Sequence, residues 1–171
     1  MRCPNLLAGK LSHYRGFRSP YWSLSSATLG IAADIGFRYD SSLMSDDVHL
    51  SRVRTGDRHE IARSILGSPG PLVEVPISWA LDDWPHFEPG ERGVGPMSAP
   101  SKVEEIWAGE LRYAWEHEPG GVVTLTMHPE AICRGHRMAM LERFIALARG
   151  LEGVVFDRLD RIVDRWLAAE A

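Results

Sequence analysis

The chain of 171 residues has 44% hydrophobic residues and a net charge of −4, which is enough for one domain, residues 1–171, with its own core. Its acidic balance and scattered arginines exclude a nucleic-acid partner, and its apolar stretches fall short of the roughly 20 residues that cross a membrane. No signal-peptide pattern opens the chain, so we expect a cytoplasmic protein. Cys3 and Cys133 lack metal-ligand or disulfide spacing and are expected to be reduced bystanders.

The first part of the chain predicts a loop, a helix and a short strand. Residues 15–23, RGFRSPYWS, combine charges, aromatic rings and a proline, which is typical of a loop that contacts something. A serine-capped helix then runs to Asp34, and Gly36 supplies a left-handed stop. Residues 37–40 are expected to form a strand.

The middle of the chain carries weaker signals. Residues 41–63 show no clear period, and we expect a loop there with one helix near 58–66. A glycine–proline turn over 67–70 precedes a strand over 72–79, whose proline places it at a sheet edge or at a strand end. A loop over 80–100 follows, and its length and aromatic content indicate function.

The C-terminal half alternates helices with strands. The predicted elements are a helix over 101–117, a buried strand over 122–127, a helix over 136–148, a strand over 153–156 and a helix over 157–167. A capping box formed by Ser101 and Glu104 is expected to start the first of these helices. This alternation favours a parallel sheet or a barrel, in which functional groups collect where strands end.

His128 directly follows the predicted buried strand and precedes a proline, which holds it at a fixed angle. An imidazole has a pKa near neutrality, so it can donate a proton to a leaving group. The alternative is a capping or solvated histidine. Strand alternation places Thr126 on the same face as His128, which makes Thr126 the nearer pocket residue.

Asp82, Asp83 and Trp84 form an acidic-aromatic cluster in the long loop. A carboxylate beside a histidine raises the proton affinity of the imidazole and selects its tautomer, and an indole can line an apolar pocket. The alternative is an Asx turn with an aromatic anchor.

Arg18 and Tyr21 flank a Ser-Pro turn in the first loop. An arginine at this place can pair with a buried carboxylate, and a backbone N–H of the turn can support an oxyanion. The alternative is a surface turn with a solvated arginine.

Taken in order, the motifs GFRSPYW, ISWALDDW and TLTMHPE resemble the polysaccharide deacetylase family with the NodB homology domain. The run that begins GGVVTLTMHPE is most similar to the branch of peptidoglycan deacetylases, cyclic imide hydrolases and allantoinases. The resemblance implies an α/β fold, a distorted (β/α)7 barrel. It also implies hydrolysis of non-peptide C–N bonds, with a divalent metal such as zinc in full-length relatives.

The resemblance also implies roles for individual residues. By that match, Arg18 steadies the catalytic base, and the backbone N–H of Tyr21 stabilises the oxyanion. Asp83 matches the carboxylate that tunes the acid, Trp84 matches a wall of the acyl pocket, and His128 matches the general acid.

Two departures concern substrate choice. Ala80 stands where the family often has an aspartate, and Thr126 stands where many members have a leucine that holds the acetyl methyl. Both changes favour a smaller or more polar amide or imide over an N-acetylated sugar.

A larger departure is that the acidic motif for the base and the His-x-x-x-His metal motif are not present. We therefore expect no metal in this chain and an incomplete barrel whose first strands are missing. The chain would be the C-terminal part of a longer enzyme, weakly active or inactive alone, that works as a homo-oligomer or with a separate N-terminal half. The alternative is a non-catalytic carbohydrate-binding or assembly module.

Overall fold

The computed structural model describes residues 15–88 and 97–170, which divide into two compact units. Unit 1 comprises residues 15–46, 50–76 and 157–170, and unit 2 comprises residues 47–49, 77–88 and 97–156. Cys3 and residues 89–96 of the predicted loop lie outside the described residues. No helix in the described ranges is both long enough and apolar enough to cross a membrane.

Unit 1 is built on a four-stranded sheet and a separate two-stranded hairpin. In chain order the strands are β1 (Gly16–Phe17), β2 (Tyr39–Asp40), β3 (Ser51–Thr55), β4 (Arg58–Glu60), β5 (Arg63–Ile65) and β6 (Ser68–Glu74). The sheet has the order β1-β2-β6-β3, in which β1, β2 and β6 run parallel and β3 is antiparallel to β6. Strands β4 and β5 pair with each other as the hairpin.

Local contacts explain the edge of this sheet. Gly16 lies directly against the ring of Tyr39, its partner on the neighbouring strand, and a Cβ atom at this position would overlap that ring. Glycine therefore allows the two strands to approach each other here.

Two helices, α1 (Thr28–Asp34) and α6 (Leu159–Glu170), accompany the sheet of unit 1. Ala32 of α1 packs with Val53 and Leu72 of the sheet in a small core. The predicted end of α1 is confirmed, because Gly36 follows it with a φ of +93°. Helix α6 extends three residues beyond the predicted Leu167.

Three predictions for the middle of the chain need correction. The helix predicted near 58–66 is wrong, because this stretch forms the β4–β5 hairpin, in which Glu60 and Arg63 pair beside the turn. The turn predicted over 67–70 is mostly strand, since β6 begins at Ser68. The strand predicted over 72–79 ends at Glu74, so the proline at 76 lies just past the strand end. Of the two positions predicted for this proline, a sheet edge or a strand end, the second is therefore confirmed.

Unit 2 contains the helices α2 (Trp84–Phe87), α3 (Pro100–His117), α4 (Pro129–Ile132) and α5 (Gly135–Gly150). Its core includes an apolar cluster contributed mainly by α3 and α5: Leu81, Phe87, Val103, Trp107, Leu111, Ile132, Met140, Phe144 and Ala148. The rings of Trp107 and Phe144 meet edge-on with centroids 5.9 Å apart. The indole N–H of Trp107 donates to the carbonyl oxygen of Ala80 at 3.0 Å, so this polar group is satisfied inside the core.

The start of α3 differs from the predicted capping box. The N-cap residue is Ala99, the first helical residue is Pro100, and no side chain caps this end. Glu104 instead pairs with Arg143 of α5. A proline suits the first helical position because it lacks the N–H that would be unsatisfied there.

The strands predicted over 122–127 and 153–156 are wrong as assigned. The first segment is extended but makes only an isolated parallel bridge, between Thr126 and Asp82. The second forms no strand, and Val155 and Phe156 are exposed. β-branched residues favour extended backbone, but a strand also needs a hydrogen-bonded neighbour along its length.

Replacing Trp107 with alanine should lower the free energy of unfolding by about 3–5 kcal/mol, because it removes a buried ring from the middle of the unit 2 core. Trp115 on the same helix is a matched control, since it is about half exposed, and Trp115→Ala should cost much less. Urea unfolding followed by circular dichroism would measure both. Equal losses would contradict the assignment of Trp107 to the core.

Candidate active site

Asp83 and His128 form a close hydrogen-bonded pair in unit 2. The Nδ1 atom of His128 lies 2.7 Å from Oδ1 of Asp83, and the backbone N–H of His128 donates to both carboxylate oxygens, at 3.1 and 3.0 Å. Asp83 is fully buried, whereas the His128 side chain is 37% exposed. Because a carboxylate only accepts, the proton of this bond belongs to Nδ1, which leaves Nε2 as the ring nitrogen for exchange with a substrate.

Backbone pairing holds these two residues together. The N–H of Asp83 donates to the carbonyl oxygen of Thr126 at 3.1 Å, and the N–H of Thr126 donates to that of Leu81 at 2.9 Å. This short parallel bridge aligns the end of one segment with the residues just before His128. Thr126 therefore lies beside the acidic cluster. It is held there by backbone hydrogen bonds, and not at the end of a full strand as predicted.

Asp82 and Trp84 complete the cluster. Oδ1 of Asp82 accepts the N–H of Trp84 at 2.7 Å, which is the Asx-turn geometry that sequence reasoning offered as the alternative for this stretch. The ring of Trp84 meets the ring of His128 with centroids 5.1 Å apart and an interplanar angle of 60°. The two interpretations coexist: Asp82 makes the turn, and that turn presents Asp83 and Trp84 to His128.

These contacts change the proton affinity of the imidazole. Partial burial acts to lower the pKa of His128, but the hydrogen bond that its ring donates to Asp83 and the charges of Asp82, Asp83 and Glu130 outweigh it, so the pKa is raised. Burial also raises the pKa of the Asp82 carboxyl. The cluster therefore holds a proton on the His128 ring at a higher pH than a free histidine would.

Asp82, Asp83 and His128 also place three ligand atoms within 4.8 Å of one another, a set that sequence reasoning did not assemble. Two ligands of one tetrahedral zinc ion lie about 3.3 Å apart, given bonds of about 2.0–2.1 Å. The Nδ1 and Oδ1 atoms of the pair are 2.7 Å apart and share a hydrogen bond. In this arrangement Nδ1 of His128 and Oδ1 of Asp83 are paired with each other and are too close together to bind one zinc ion as they stand.

Arg18 and Tyr21 lie in unit 1. Nε and Nη2 of Arg18 donate to the backbone and side-chain oxygens of Ser41, at 2.8 and 2.6 Å. Tyr21 belongs to a single 3₁₀ turn, Pro20–Trp22, and both Tyr21 and Trp22 have left-handed φ angles, of 54° and 53°. Two successive non-glycine residues in this region store backbone strain, which is common where a loop presents backbone groups to a ligand.

Sequence reasoning missed Arg137, a buried arginine near the start of α5. Its guanidinium lies over the ring of Phe87 and donates to the carbonyl oxygens of Phe87 and Ala131, and it pairs with Glu88 at 2.9 Å. It thereby joins the ends of the short helices that carry Trp84 and follow His128. Most arginines in a helix are exposed, and nothing in the sequence around Arg137 indicates that this one is buried.

The comparisons with known proteins agree with the motifs. No family model matches the chain. The peptidoglycan deacetylase of Helicobacter pylori is 28% identical over 166 residues, which cover 89% of this chain and 56% of that protein. A crystal structure of a Mycobacterium smegmatis protein assigned as a polysaccharide deacetylase matches with a TM-score of 0.75 and 35% identity, over 92% of this chain and 51% of that one.

The chain is related to the polysaccharide deacetylase family. A peptidoglycan deacetylase-like protein of Gibberella zeae, 25% identical over 146 residues, also matches, over 74% of this chain and 43% of that protein. The chain spans about half the length of the relatives that it matches. The relationship predicted from three motifs is thus confirmed, as is the α/β fold class, and the incomplete barrel stays a prediction.

Replacing Asp83 with asparagine should lower the pKa of His128, because it removes the charge that raises the pKa, weakens the hydrogen bond to the ring, and leaves the burial that lowers the pKa. NMR titration of the ring Cε1–H signal would measure the change. Glu130→Gln is the control and should move the pKa least, since Glu130 contributes last among the raising causes. An unchanged pKa in the asparagine variant would contradict the pairing.

The same pair makes stability depend on pH. Because the pKa of His128 in the folded chain exceeds its ordinary value of 6.5, its contribution to stability is complete below pH 6.5 and is lost as the pH rises through the folded-state value.

Arg137→Lys should reduce the free energy of unfolding by about 1–3 kcal/mol, because an ammonium group cannot serve both carbonyls and stack on Phe87 at once. The exposed Arg134 is a matched control, and Arg134→Lys should change stability by less than about 0.5 kcal/mol. Chemical denaturation would compare the two variants, and similar effects would count against a buried role for Arg137.

Proposed function

We propose that the chain carries part of the active site of a deacetylase-like hydrolase that cleaves a non-peptide C–N bond. The observation that carries this proposal is the buried Asp83 carboxylate paired with the half-exposed His128 ring, whose other nitrogen remains available for proton transfer. The names of the related proteins support the reaction class, since two are peptidoglycan deacetylases or like them and one is assigned as a polysaccharide deacetylase.

His128 acts as the general acid in this proposal. When a tetrahedral intermediate collapses, the C–N bond breaks, and the departing nitrogen takes the proton from Nε2, so that the ring becomes neutral. An amine leaves poorly unless it is protonated, so a proton held ready at near-neutral pH accelerates the step. Asp83 selects the tautomer and stabilises the imidazolium before transfer.

Roles for the other residues follow from the resemblance and from their own surroundings. Trp84 packs on His128 and forms a wall for the acyl group, and Thr126 lies two residues before the acid as a substrate-binding residue. In unit 1, Arg18 orients a catalytic base, and the strained turn presents the Tyr21 N–H to an oxyanion.

The substrate in this proposal is an acetylated carbohydrate or a smaller amide or imide. The related deacetylases support the first class, and Ala80 and Thr126, at positions where the family often has aspartate and leucine, favour the second. A divalent metal such as zinc would belong to a longer relative and not to the acid–base cluster of this chain. The remaining parts of the proposal are an incomplete barrel, a cytoplasmic location, and assembly as a homo-oligomer or with a separate N-terminal half.

A second candidate is a non-catalytic carbohydrate-binding or assembly module. The sequence favours it in one respect, since none of the 171 residues supplies the family's acidic base motif or its paired-histidine motif. The partly exposed Trp84 would then serve as a platform for a sugar ring.

Acetate release from N-acetylglucosamine oligomers, in the presence of zinc, would separate the two candidates. We expect the isolated chain to hydrolyse weakly, and His128→Ala should lower the remaining kcat by about 10²–10⁴-fold with little change in KM, because only proton transfer is lost. The exposed His136 is a matched control, and His136→Ala should leave the rate unchanged.

Two results would count against the proposal. Robust turnover by the isolated chain would exclude a partial site. Oligosaccharide binding that is equally strong in His128→Ala, without any acetate release from the wild-type chain, would favour the binding module.

A further inference from the structure

Unit 1 contains a second carboxyl pair, Asp40 and Glu74, which the proposed reaction does not use. The two residues are direct partners in the parallel pairing of β2 with β6, and neighbouring strands lie about 4.8 Å apart. Both side chains are fully enclosed, with Asp40 0% and Glu74 1% exposed. Two carboxyl groups therefore face each other without access to bulk water.

The donors around the pair come from the segment that follows β2. The N–H of Ser42 donates to Oδ2 of Asp40 at 2.9 Å and to Oε1 of Glu74 at 3.1 Å, and the N–H of Leu43 donates to the same Oε1 at 2.9 Å. The hydroxyl of Ser42 donates to Oδ1 of Asp40 at 3.0 Å. Oε2 of Glu74 remains buried without a donor among the described residues.

The described hydrogen bonds of two arginines in unit 1 go to groups other than these two carboxyls. On β3 the residue opposite Glu74 is Ser51, and the neighbouring Arg52, opposite Val73, directs its guanidinium to Glu170 and to the carbonyl oxygen of Pro71. Arg18, from the preceding loop, directs Nε and Nη2 to Ser41. Two buried carboxylates repel each other strongly when both are ionised, and one proton on Glu74 Oε2, donated to Asp40, removes that repulsion and satisfies an oxygen that has no donor among the described residues.

The electrostatics agree with this placement. Burial raises the pKa of Glu74 to about 9, with the charge of Asp40 acting in the same direction, and burial raises the pKa of Asp40 as well. Glu74 is the group of the pair that keeps its proton at neutral pH.

The pair connects to Arg18 through the serines. Ser42 Oγ, which donates to Asp40, accepts the N–H of Ser19 at 2.9 Å. The adjacent Ser41 accepts the hydrogen bonds that Arg18 donates from Nε and Nη2. The carboxyl pair therefore fixes the Ser41–Ser42 segment, and that segment in turn fixes the loop that carries Arg18.

We propose that Asp40 and Glu74 share one proton and that the resulting neutral–ionised pair is a positioning device, which holds the Ser41–Ser42 segment and through it Arg18. The part of Arg18 in hydrolysis rests on the proposed function. The shared proton and the hydrogen-bond chain do not, so the test below needs no catalytic activity.

The test compares the full 171-residue chain with Glu74→Gln and Glu74→Leu. Glutamine mimics the protonated acid, because its amide N–H can donate to Asp40 while its oxygen accepts the N–H groups of Ser42 and Leu43. Urea unfolding between pH 5.5 and 8.5 measures the proton, and the NMR signal of the Arg18 Nε–H, with its exchange rate against water, measures the position of Arg18.

The wild-type chain should lose stability across this range. The folded-state pKa lies above the unfolded value, so the stability that the proton supplies is complete below pH 4.5 and is lost as the pH rises through about 9. Relative to Glu74→Gln, the unfolding constant of the wild type should rise up to about tenfold per pH unit. The glutamine variant should keep a protected Arg18 Nε–H, and the leucine variant should lose that protection.

An equal pH slope in the wild type and Glu74→Gln would overturn the shared proton, as would a Glu74 carboxyl carbon that titrates near pH 4.5 in the folded wild-type chain. Unchanged protection of Arg18 in the leucine variant would overturn the positioning role. If the leucine variant does not fold, loss of Arg18 protection in folded Glu74→Gln would overturn that role instead. The titration of the Glu74 carboxyl carbon is measured in the wild-type chain, so this test of the shared proton does not require any variant to fold.

Discussion

The hydrogen bond between the buried Asp83 carboxylate and His128 is the constraint around which the candidate site of unit 2 is arranged. A carboxylate without access to water must be compensated by donors, and here the ring and the backbone N–H of one residue supply them. The segments that carry Asp83 and His128 must therefore stay adjacent. The backbone bridge between Thr126 and Asp82 aligns the two segments. Arg137 links the short helices that follow them, α2 and α4, by donating hydrogen bonds to a carbonyl oxygen of each.

The chain uses buried carboxyl groups in two opposite ways. Asp83 accepts hydrogen bonds from the backbone and ring N–H groups of His128, and it raises the pKa of that partly exposed ring. Glu74 is buried against another acid, and burial first and then the charge of Asp40 raise its pKa to about 9. The same kind of side chain thus serves in one unit as a partner for an imidazole and in the other as a partner for a second acid.

Site residues could be predicted where short motifs identify them, and could not be predicted where their partners are distant in sequence. Asp83, Trp84 and His128 were identified from short motifs, and the structure brings them together because the motifs themselves contain the turn and the residues that the turn presents. Arg137 and Glu74 gave no signal, since each acts through partners that are distant in sequence. Hydrophobic pattern also failed for 122–127, whose extended backbone has a single paired residue and not a full strand neighbour.

By itself, the sequence determined the family relationship, the α/β class, the longer helices and the grouping of Asp83 and Trp84 with His128, because these depend on local pattern and on motifs read in order. Only the tertiary structure decided that Glu104 reaches Arg143 instead of capping its own helix, and that Asp40 meets Glu74 in the interior of a sheet. The physical reason is the same in each case. Protonation and pairing depend on burial and on donors supplied by distant segments, and neither can be read from neighbouring residues.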